Sequence, residues 1–448
     1  MSSLKKQVIR GAAWTFIGYG ASQALRLVSN LILARLLAPE FFGLMALINV
    51  FIIGLNLFSD VGIGPSIIQN KRGDDPDFFN TAWTIQVLRG VALWIGSLII
   101  AWPVAQFYGD QYQQLLWLVP IVGFSTVIAG FNSTSIFTLN RNLALSKLTI
   151  FEFGSQAIAI VVMVSWALVN ASIWALVAGN IVGSLAKMLW SHLLVPQERN
   201  RFTWDKEASK EIFSFGKWIF IATAMSFLAI QADKLILGKL LLPEVLGIYS
   251  IALTFAELPR QVMLRISQKV IFPVMSKRAD LPRKELRSQI LRKRWFLLVV
   301  IAALVTFLVC FGDLLILTLY DERYADGAWM LPIIALGLWP LLLPLTNEKA
   351  LLAVGKPLYT AWGNFLKFLY MIILLPLGFQ LFQELGAIII IAFNDLPLYG
   401  AVNYGLWREE LTGIGQDFKA TLLLIGLITL FMGGRYFLGF GISIEGIL

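Results

Sequence analysis

The sequence predicts an all-α, polytopic integral membrane protein with about 13 (12–14) transmembrane helices. Of its 448 residues, 58% are hydrophobic and only 14% are charged, whereas an average soluble protein has about 45–50% apolar and about 25% charged residues. The apolar residues fall in blocks of about 20–25, the length of helix that crosses a bilayer core of roughly 30 Å. The composition therefore excludes soluble enzymes and nucleic-acid-binding proteins.

Thirteen apolar blocks, bounded by polar residues or by Pro and Gly, mark the expected spans. Strand-like alternation is absent, and blocks of this length can satisfy their backbone in a bilayer only as helices. The first block carries Arg26 and lacks a short apolar core with a cleavage site, so we expect a retained span rather than a signal peptide. The expected limits are 12–34, 41–64, 81–105, 114–138, 147–168, 172–195, 211–232, 243–267, 295–319, 328–348, 358–381, 385–406 and 419–440.

The distribution of basic residues between alternate loops predicts the orientation. With the N-terminus in the cytoplasm, 24 of the 36 Lys and Arg residues fall in cytoplasmic segments and five in external ones. This asymmetry follows the positive-inside rule and accounts for the net charge of +9. We therefore expect a multi-pass protein of the cytoplasmic (inner) membrane with a cytoplasmic N-terminus.

One histidine and one cysteine leave little room for metal or nucleophile chemistry. Cys310 lies in an apolar run, which is typical of a small buried residue, and His192 lies near the expected membrane interface. No glycine-rich phosphate loop precedes a helix in the form that nucleotide binding requires. We expect no catalytic residue, no metal and no cofactor.

An internal repeat divides the chain. Residues 31–43 (LILARLLAPEFFG) match residues 235–247 (LILGKLLLPEVLG) at an offset of 204 without a gap. Six spans separate the copies, so the repeat is parallel, with an axis expected along the membrane normal. We therefore expect an N-terminal six-helix lobe at 1–200, a C-terminal six-helix lobe at 201–407 and an additional transmembrane segment at 408–448.

The longest loop, Lys269–Arg294, is strongly basic. It contains Arg283, Lys284, Arg287, Arg292, Lys293 and Arg294 and predicts an amphipathic helix on the cytoplasmic surface. Attraction to anionic lipid is the simpler explanation of the charge. Contact with a partner protein is the alternative.

Charged and polar residues within the spans are the candidates for function, because burying a charge in a membrane is costly. Seven basic residues lie within apolar blocks, and four of them lie deep: Arg26, Arg89, Arg260 and Lys367. In span 1 the residues Tyr19, Ser22, Gln23, Arg26, Ser29 and Asn30 recur at helical spacing and form a polar stripe. Span 2 repeats the pattern more weakly with Asn49, Asn56 and Asp60, and we expect these stripes to face a polar cavity between the lobes.

The acidic residues within spans have two interpretations. Glu257, Asp233 and Asp395 are candidates for coupling transport to an ion. Alternatively, they neutralise nearby bases: Glu257 and Arg260 are three residues apart, and Lys367 and Asp395 lie at similar depth. An excess of basic charge would favour an anionic substrate, since guanidinium groups match phosphate oxygens in bidentate fashion.

Eight short sequence segments, taken in order, carry a family resemblance. They are 34–43 (ARLLAPEFFG), 58–64 (FSDVGIG), 68–71 (IQNK), 80–83 (NTAW), 107–110 (FYGD), 174–179 (WALVAG), 232–238 (ADKLILG) and 272–276 (FPVMS). With these segments the chain resembles the polysaccharide-exporting flippases of the multidrug/oligosaccharidyl-lipid/polysaccharide exporter superfamily, in the branch of lipopolysaccharide and exopolysaccharide biosynthesis proteins. The resemblance covers roughly residues 5–400.

The resemblance implies transport rather than catalysis. Members move a lipid-linked oligosaccharide, typically on undecaprenyl diphosphate, to the outer leaflet by alternating access of two lobes around a cationic cavity. Polysaccharide polymerase and glycosyltransferases would be partners. Our own depth and stripe arguments place the diphosphate at Arg26 and Arg260, with Arg89 and Lys367 contributing charge, and line the polar cavity with Gln23, Asn30, Asn56 and Asp60.

Three other functions remain open from the sequence. A cation-coupled multidrug exporter of the same superfamily would need acidic residues to dominate the cavity. A lipid II flippase would handle a similar diphosphate-linked sugar. A membrane-embedded glycosyltransferase, polymerase or ligase would need a sizeable external loop, and the external segments here are short, roughly 3–12 residues.

Overall fold

The protein folds as two compact helical units, Met1–Phe227 and Leu228–Leu448. The computed structural model describes residues 2–441 except 60–61, 71, 74, 143, 196–199, 277 and 279–280, and it describes no side chain at 2–13, 15–16, 215–226, 228–229, 269–270 and 273. The candidate site residue Asp60 therefore lies outside the described residues. The expected lobe boundaries at residues 200 and 407 stay predictions.

In the part of the first unit that the structure describes there are eight helices and the start of a ninth. α4 packs against α5, α7 against α8, and α1 against α7. A short 3₁₀ turn, Asp110–Tyr112, joins α4 to α5. The helices are α1 (Ser2–Leu36), α2 (Pro39–Phe58), α3 (Ile63–Gln69), α4 (Pro76–Tyr108), α5 (Leu115–Gly130), α6 (Ser135–Arg141), α7 (Leu145–Val169), α8 (Trp174–Leu193) and α9 (Lys206–Leu240).

The described residues of the second unit form the end of α9 and ten further helices. A π-helix, Ser267–Ile271, and a 3₁₀ turn, Glu322–Tyr324, interrupt the series. The helices are α10 (Pro243–Ala256), α11 (Leu258–Ile266), α12 (Phe272–Ser276), α13 (Arg283–Leu319), α14 (Gly327–Gly337), α15 (Trp339–Leu345), α16 (Lys349–Ala353), α17 (Leu358–Ala392), α18 (Leu396–Arg408) and α19 (Ile414–Phe437).

α17 consists of two helices joined by a sharp turn. Phe382 and Gln383 leave the helical conformation, and Gln383 has a φ of +51°. A β-carbon placed on Gly386 would collide with the carbonyl oxygen of Gly378. Residues eight apart lie about 12 Å from each other along a straight helix, so the chain must fold back here. The turn separates predicted spans 358–381 and 385–406.

The internal repeat has the same local structure in both units. α1 ends at Leu36 and α9 at Leu240, and the next helices begin at Pro39 and Pro243, so the offset of 204 holds for both boundaries. The residue before each proline is extended, as the proline ring requires, with ψ of 147° at Ala38 and 153° at Leu242. The repeat is therefore structural as well as sequential.

A second repeated feature is an aromatic cluster at the end of a long helix. Phe51 packs edge-on against Tyr108, and Phe255 against Tyr320, both with ring centroids 6.0 Å apart. Each tyrosine contacts another four residues later, at 5.6 Å in the first unit and 5.5 Å in the second. The offset between these tyrosines is 212 rather than 204, which hid the pair from an ungapped comparison.

Several predicted spans are interrupted. Predicted spans 41–64, 114–138, 243–267, 328–348 and 385–406 each comprise two or more helices, whereas α4, α7 and α13 are continuous. Among the described residues, eight helices are long and apolar enough to cross a membrane. The all-α, polytopic fold is confirmed, and the number of thirteen spans stays a prediction.

Hydrogen bonds hold the residues that precede α9 against α4. The backbone amides of Thr203 and Asp205 donate hydrogen bonds to the hydroxyls of Thr84 (3.1 Å) and Thr81 (2.9 Å). The Asp205 carboxylate in turn accepts the backbone amide of Ala208 at 2.7 Å and so caps α9. This bond, with a smaller contribution from the charge of Arg72, lowers the pKa of Asp205.

Two buried ion pairs join α19 to α13. Arg294, 1% exposed, pairs with Asp417, and Arg435 binds Asp313 through two N–O contacts of 2.7 Å. The expected surface helix over 269–294 is therefore wrong: residues 283–294 are the first turns of α13, and Arg294 is buried. The Arg435–Asp313 pair is bidentate, which holds the two side chains in one geometry. The two pairs make α19 a fixed part of the second unit.

Candidate functional site

A polar cavity of about 200 Å³ in the second unit lies where three helical segments are broken. α10 gives way to α11 at Glu257, α14 to α15 at Leu338, and α17 to α18 at residues 393–395. Residues at all three breaks line the cavity. Its polar lining is Gln231, Asp233, Lys234, Tyr249, Glu257, Arg260, Lys367, Asn394 and Asp395.

A proline causes each break. Pro259, Pro340 and Pro397 are the second residues of α11, α15 and α18. Proline has no amide hydrogen, so the carbonyl four residues earlier loses its helical partner. In membrane transporters, breaks of this kind expose backbone groups where the substrate or ion binds. The break between α14 and α15 lies against the break between α17 and α18, since a β-carbon on Gly337 would collide with the carbonyl oxygen of Ala392.

Two ion pairs of the cavity join charges that the sequence analysis singled out. Lys367 Nζ lies 2.6 Å from Asp395 Oδ1, and only 8% and 4% of these side chains are exposed. Arg260 lies 2.6 Å from Glu257 Oε1. The structure thus contains both of the neutralising pairs that the sequence analysis considered.

A third group completes the cavity. Asp233 Oδ2 accepts a hydrogen bond of 2.6 Å from the Tyr249 hydroxyl and lies 3.3 Å from the ammonium group of Lys234. Three acidic and three basic side chains therefore line the cavity, and their formal charges cancel. The cationic character expected from the sequence is not a property of this part of the site.

Two acceptor atoms beside the ion pairs are unsatisfied. Asp233 Oδ1 and Gln231 Oε1 are buried and have no hydrogen-bond partner in the described part of the chain. Leaving such groups unpaired costs about 1–3 kcal/mol each. A ligand that brings hydroxyl groups into the cavity would recover that free energy.

The other predicted site residues lie in the first unit. Arg89 donates to Ser59 Oγ at 2.9 Å and to the Asn56 carbonyl at 2.6 Å, at the end of α2, where unpaired carbonyls attract positive charge. Arg26, whose side chain is exposed, donates to Gln23 Oε1. Asn30 is half-buried. The structure thus brings Arg89 together with Asn56, and Arg26 with Gln23.

Sequence reasoning missed Lys234, Tyr249 and Gln231. Lys234 was assigned to an external loop because the predicted span ended at 232, whereas α9 continues to Leu240. Tyr249 carried a usable signal: with Glu257 and Arg260 it falls at intervals of eight and three residues, which lie on one face of a continuous helix. Gln231 showed no sequence pattern that sets it apart.

The fold defines the class of protein as a polytopic helical membrane protein. It is similar to the lipid II flippase MurJ in its inward closed conformation, with a TM-score of 0.72 and 14% identity over 94% of this chain and 92% of that one. It is also similar to an inward-facing multidrug resistance MATE family transporter of the MOP superfamily, with a TM-score of 0.67 and 14% identity over 87% and 94% of the two chains.

The family follows from sequence. The chain belongs to the polysaccharide biosynthesis protein family, which it matches over residues 32–328. It is 24% identical to the teichuronic acid biosynthesis protein TuaB of Bacillus subtilis over 99% of this chain and 91% of TuaB. It is 22% identical to the succinoglycan biosynthesis transport protein ExoT of Rhizobium meliloti, over 81% of this chain and 69% of ExoT. It is also 22% identical to the lipopolysaccharide biosynthesis protein WzxC of Escherichia coli, over 75% of this chain and 67% of WzxC. The resemblance seen in the sequence is confirmed.

Proposed function

We propose that this protein is a flippase that moves a polyprenyl-diphosphate-linked oligosaccharide across the cytoplasmic membrane by alternating access of its two lobes. The observation that carries the proposal is the cavity at the helix breaks, where Arg260 and Lys367 are each held by one carboxylate. The names of the relatives describe the biosynthesis and transport of several different polysaccharides. The carrier is expected to be undecaprenyl diphosphate, and the enzymes that build or polymerise the glycan are expected partners.

The two cations suit a diphosphate in different ways. The guanidinium of Arg260 presents a planar fork that matches two phosphate oxygens, whereas the ammonium of Lys367 acts as a compact charge. Each cation already has a carboxylate partner at an N–O distance of 2.6 Å: Glu257 pairs with Arg260, and Asp395 pairs with Lys367. A diphosphate must therefore displace these carboxylates, and binding is an exchange of ion-pair partners.

The sugar portion needs hydrogen-bonding groups rather than charge. In the second unit, Gln231 Oε1 and Asp233 Oδ1 are available as acceptors, and Asn394 lines the same cavity. In the first unit, Gln23, Asn30 and Asn56 stay the candidates for sugar contacts. Arg26 and Arg89 stay the candidates for further contact with the diphosphate.

A leaflet assay in proteoliposomes tests the proposal. A short-chain polyprenyl-diphosphate oligosaccharide is reconstituted with the purified protein, and its protection from an external glycosidase is followed over time. We expect protein-dependent movement that is lost in Arg260→Gln and Arg26→Ala but retained in Arg292→Gln, which removes an exposed arginine outside the cavity. Full activity in Arg260→Gln would remove that residue from the site.

A double variant tests the exchange of ion-pair partners. Glu257→Gln/Asp395→Asn keeps both cations without the carboxylates that hold them, so it should bind the diphosphate substrate more tightly than the wild type, as measured by isothermal calorimetry in detergent. Unchanged or weaker binding in that variant would refute the exchange mechanism.

The alternative function is a cation-coupled multidrug exporter. The three carboxylates of the cavity favour it, as does the similarity to a MATE family transporter. The same proteoliposomes distinguish the two functions: efflux of a cationic dye driven by a proton gradient, without movement of any polyprenyl-diphosphate glycan, would identify the exporter. Movement of lipid II in preference to other glycans would identify a lipid II flippase.

A further inference from the structure

A second cavity of about 270 Å³ lies in the second unit, between α13 and the chain around α12. Its floor is apolar and buried: Leu286 is 2%, Met275 6% and Ile290 7% exposed. Val274 and Phe296 flank it with exposed apolar surface. The buried floor and the apolar flanks together give the cavity a lining that can take an apolar chain.

Basic groups also line this cavity. Arg278 and Lys293 line it and have exposed side chains. Arg278 donates to the neutral amide oxygen of Gln289, a contact that leaves its charge in place. Among the residues that the structure describes, no carboxylate lies within 4.0 Å of either cation. The cavity therefore combines an apolar interior with a positive edge.

An irregular backbone shapes the wall. The π-helix Ser267–Ile271 lies between α11 and α12, and Ile271 lines the cavity. Ser267 donates from its hydroxyl to the carbonyl oxygen of Leu345 at 2.9 Å, which holds the π-helix against the end of α15. π-helical turns are rare and often mark functional sites. The π-helix in the wall of this cavity therefore supports a binding role.

We propose that this cavity binds one acyl chain of an anionic glycerophospholipid, with the lipid phosphate held by Arg278 and Lys293. Basic pockets between membrane helices bind anionic head groups, and the buried floor provides the complementary site for the chain. This site is separate from the cavity at the helix breaks, and its occupancy does not depend on the transport function proposed above.

Native mass spectrometry of the full-length protein in detergent tests the proposal, with dioctanoyl phosphatidylglycerol as the probe. We expect this lipid to bind more tightly than dioctanoyl phosphatidylcholine. Arg278→Ala/Lys293→Ala should weaken phosphatidylglycerol binding about 30-fold, since each cation near a membrane surface contributes about a five-fold factor. Both side chains are exposed, so the variant should fold.

Two further variants make the result specific. Lys284→Ala/Arg292→Ala removes the same charge from exposed positions of α13 that do not line the cavity, and it should leave binding unchanged. Val274→Trp keeps both cations but obstructs the cavity, and it should weaken binding. Equal loss in the Lys284/Arg292 variant would indicate diffuse charge attraction and overturn the proposal. Unchanged binding in Val274→Trp, or a clear preference for a polyprenyl phosphate over the phospholipid, would also overturn it.

Discussion

The Lys367–Asp395 pair offers the sharpest test of the cavity, because its stability and transport effects can be separated. We consider three variants: Lys367→Met, Asp395→Leu and the two together. Each single variant leaves one charge buried without its partner, whereas the double variant replaces the pair with apolar side chains of similar volume. Lys367 Nζ lies 2.6 Å from Asp395 Oδ1, and 8% of the Lys367 side chain and 4% of the Asp395 side chain are exposed.

The structure sets the expected magnitudes. Removing one partner of a buried ion pair costs about 3–5 kcal/mol, whereas replacing the whole pair with apolar residues is often neutral or stabilising. Each single variant should therefore lower the free energy of unfolding by about 3–5 kcal/mol, and the double variant should lie close to the wild type. The double variant should nevertheless be inactive in transport, because it has lost the cation that binds the diphosphate.

Unfolding by SDS in mixed micelles, followed by circular dichroism, measures the four free energies of the cycle. The exposed pair Arg323–Asp321, with 41% and 36% of its side chains accessible, is the matched control, and its coupling should not exceed about 1 kcal/mol. The description of a buried, mutually dependent pair would be refuted in either of two cases. The first is that the losses of unfolding free energy in Lys367→Met and Asp395→Leu simply add up in the double variant. The second is that each single variant loses less than about 1 kcal/mol.

Three further predictions concern the scaffold. Arg435→Ala should lower the free energy of unfolding by about 3–5 kcal/mol, because it strands the buried Asp313 carboxylate; a loss below about 1 kcal/mol in the same SDS titration would contradict the pairing. Gly337→Val should reduce the yield of folded protein in fluorescence-detected size-exclusion chromatography, because its β-carbon meets the backbone of α17, whereas Gly426→Val meets open space and should match the wild type. Asp205→Ala should be less stable than the wild type at neutral pH, because the lowered pKa of Asp205 in the folded protein stabilises it above its ordinary value near 4. That difference should disappear as the pH falls from about 4 through the lowered pKa, and a thermal-unfolding difference that persists in acid would contradict it.

Much of the fold could be predicted from the sequence because a bilayer allows few solutions. Long apolar blocks can satisfy their backbone only as helices, and the motif at Pro39 and Pro243 revealed the repeat directly. Proline also carries the information for the helix breaks: Glu257 and Asp395 each stand two residues before an in-span proline. Continuous apolar composition concealed these breaks, because hydropathy does not distinguish one long helix from two short ones.

The candidate site was only partly predictable for a different reason. Depth along a span identified Arg260 and Lys367, and the spacing of Glu257 and Arg260 allowed their pairing to be anticipated. Charges near the ends of spans were assigned to loops, so the buried pairs Arg294–Asp417 and Arg435–Asp313 were not foreseen. Their partners are more than 100 residues apart in the sequence, and no local pattern connects residues that distant.

The most direct test of the central claim compares two substrates in the leaflet assay. One is a short-chain polyprenyl diphosphate carrying an oligosaccharide, and the other carries the same oligosaccharide on a neutral polyprenyl ether. If Arg260 and Lys367 bind the diphosphate, the protein should move the charged substrate and leave the neutral one in its original leaflet. Equal movement of both substrates, or movement of neither, would contradict the account.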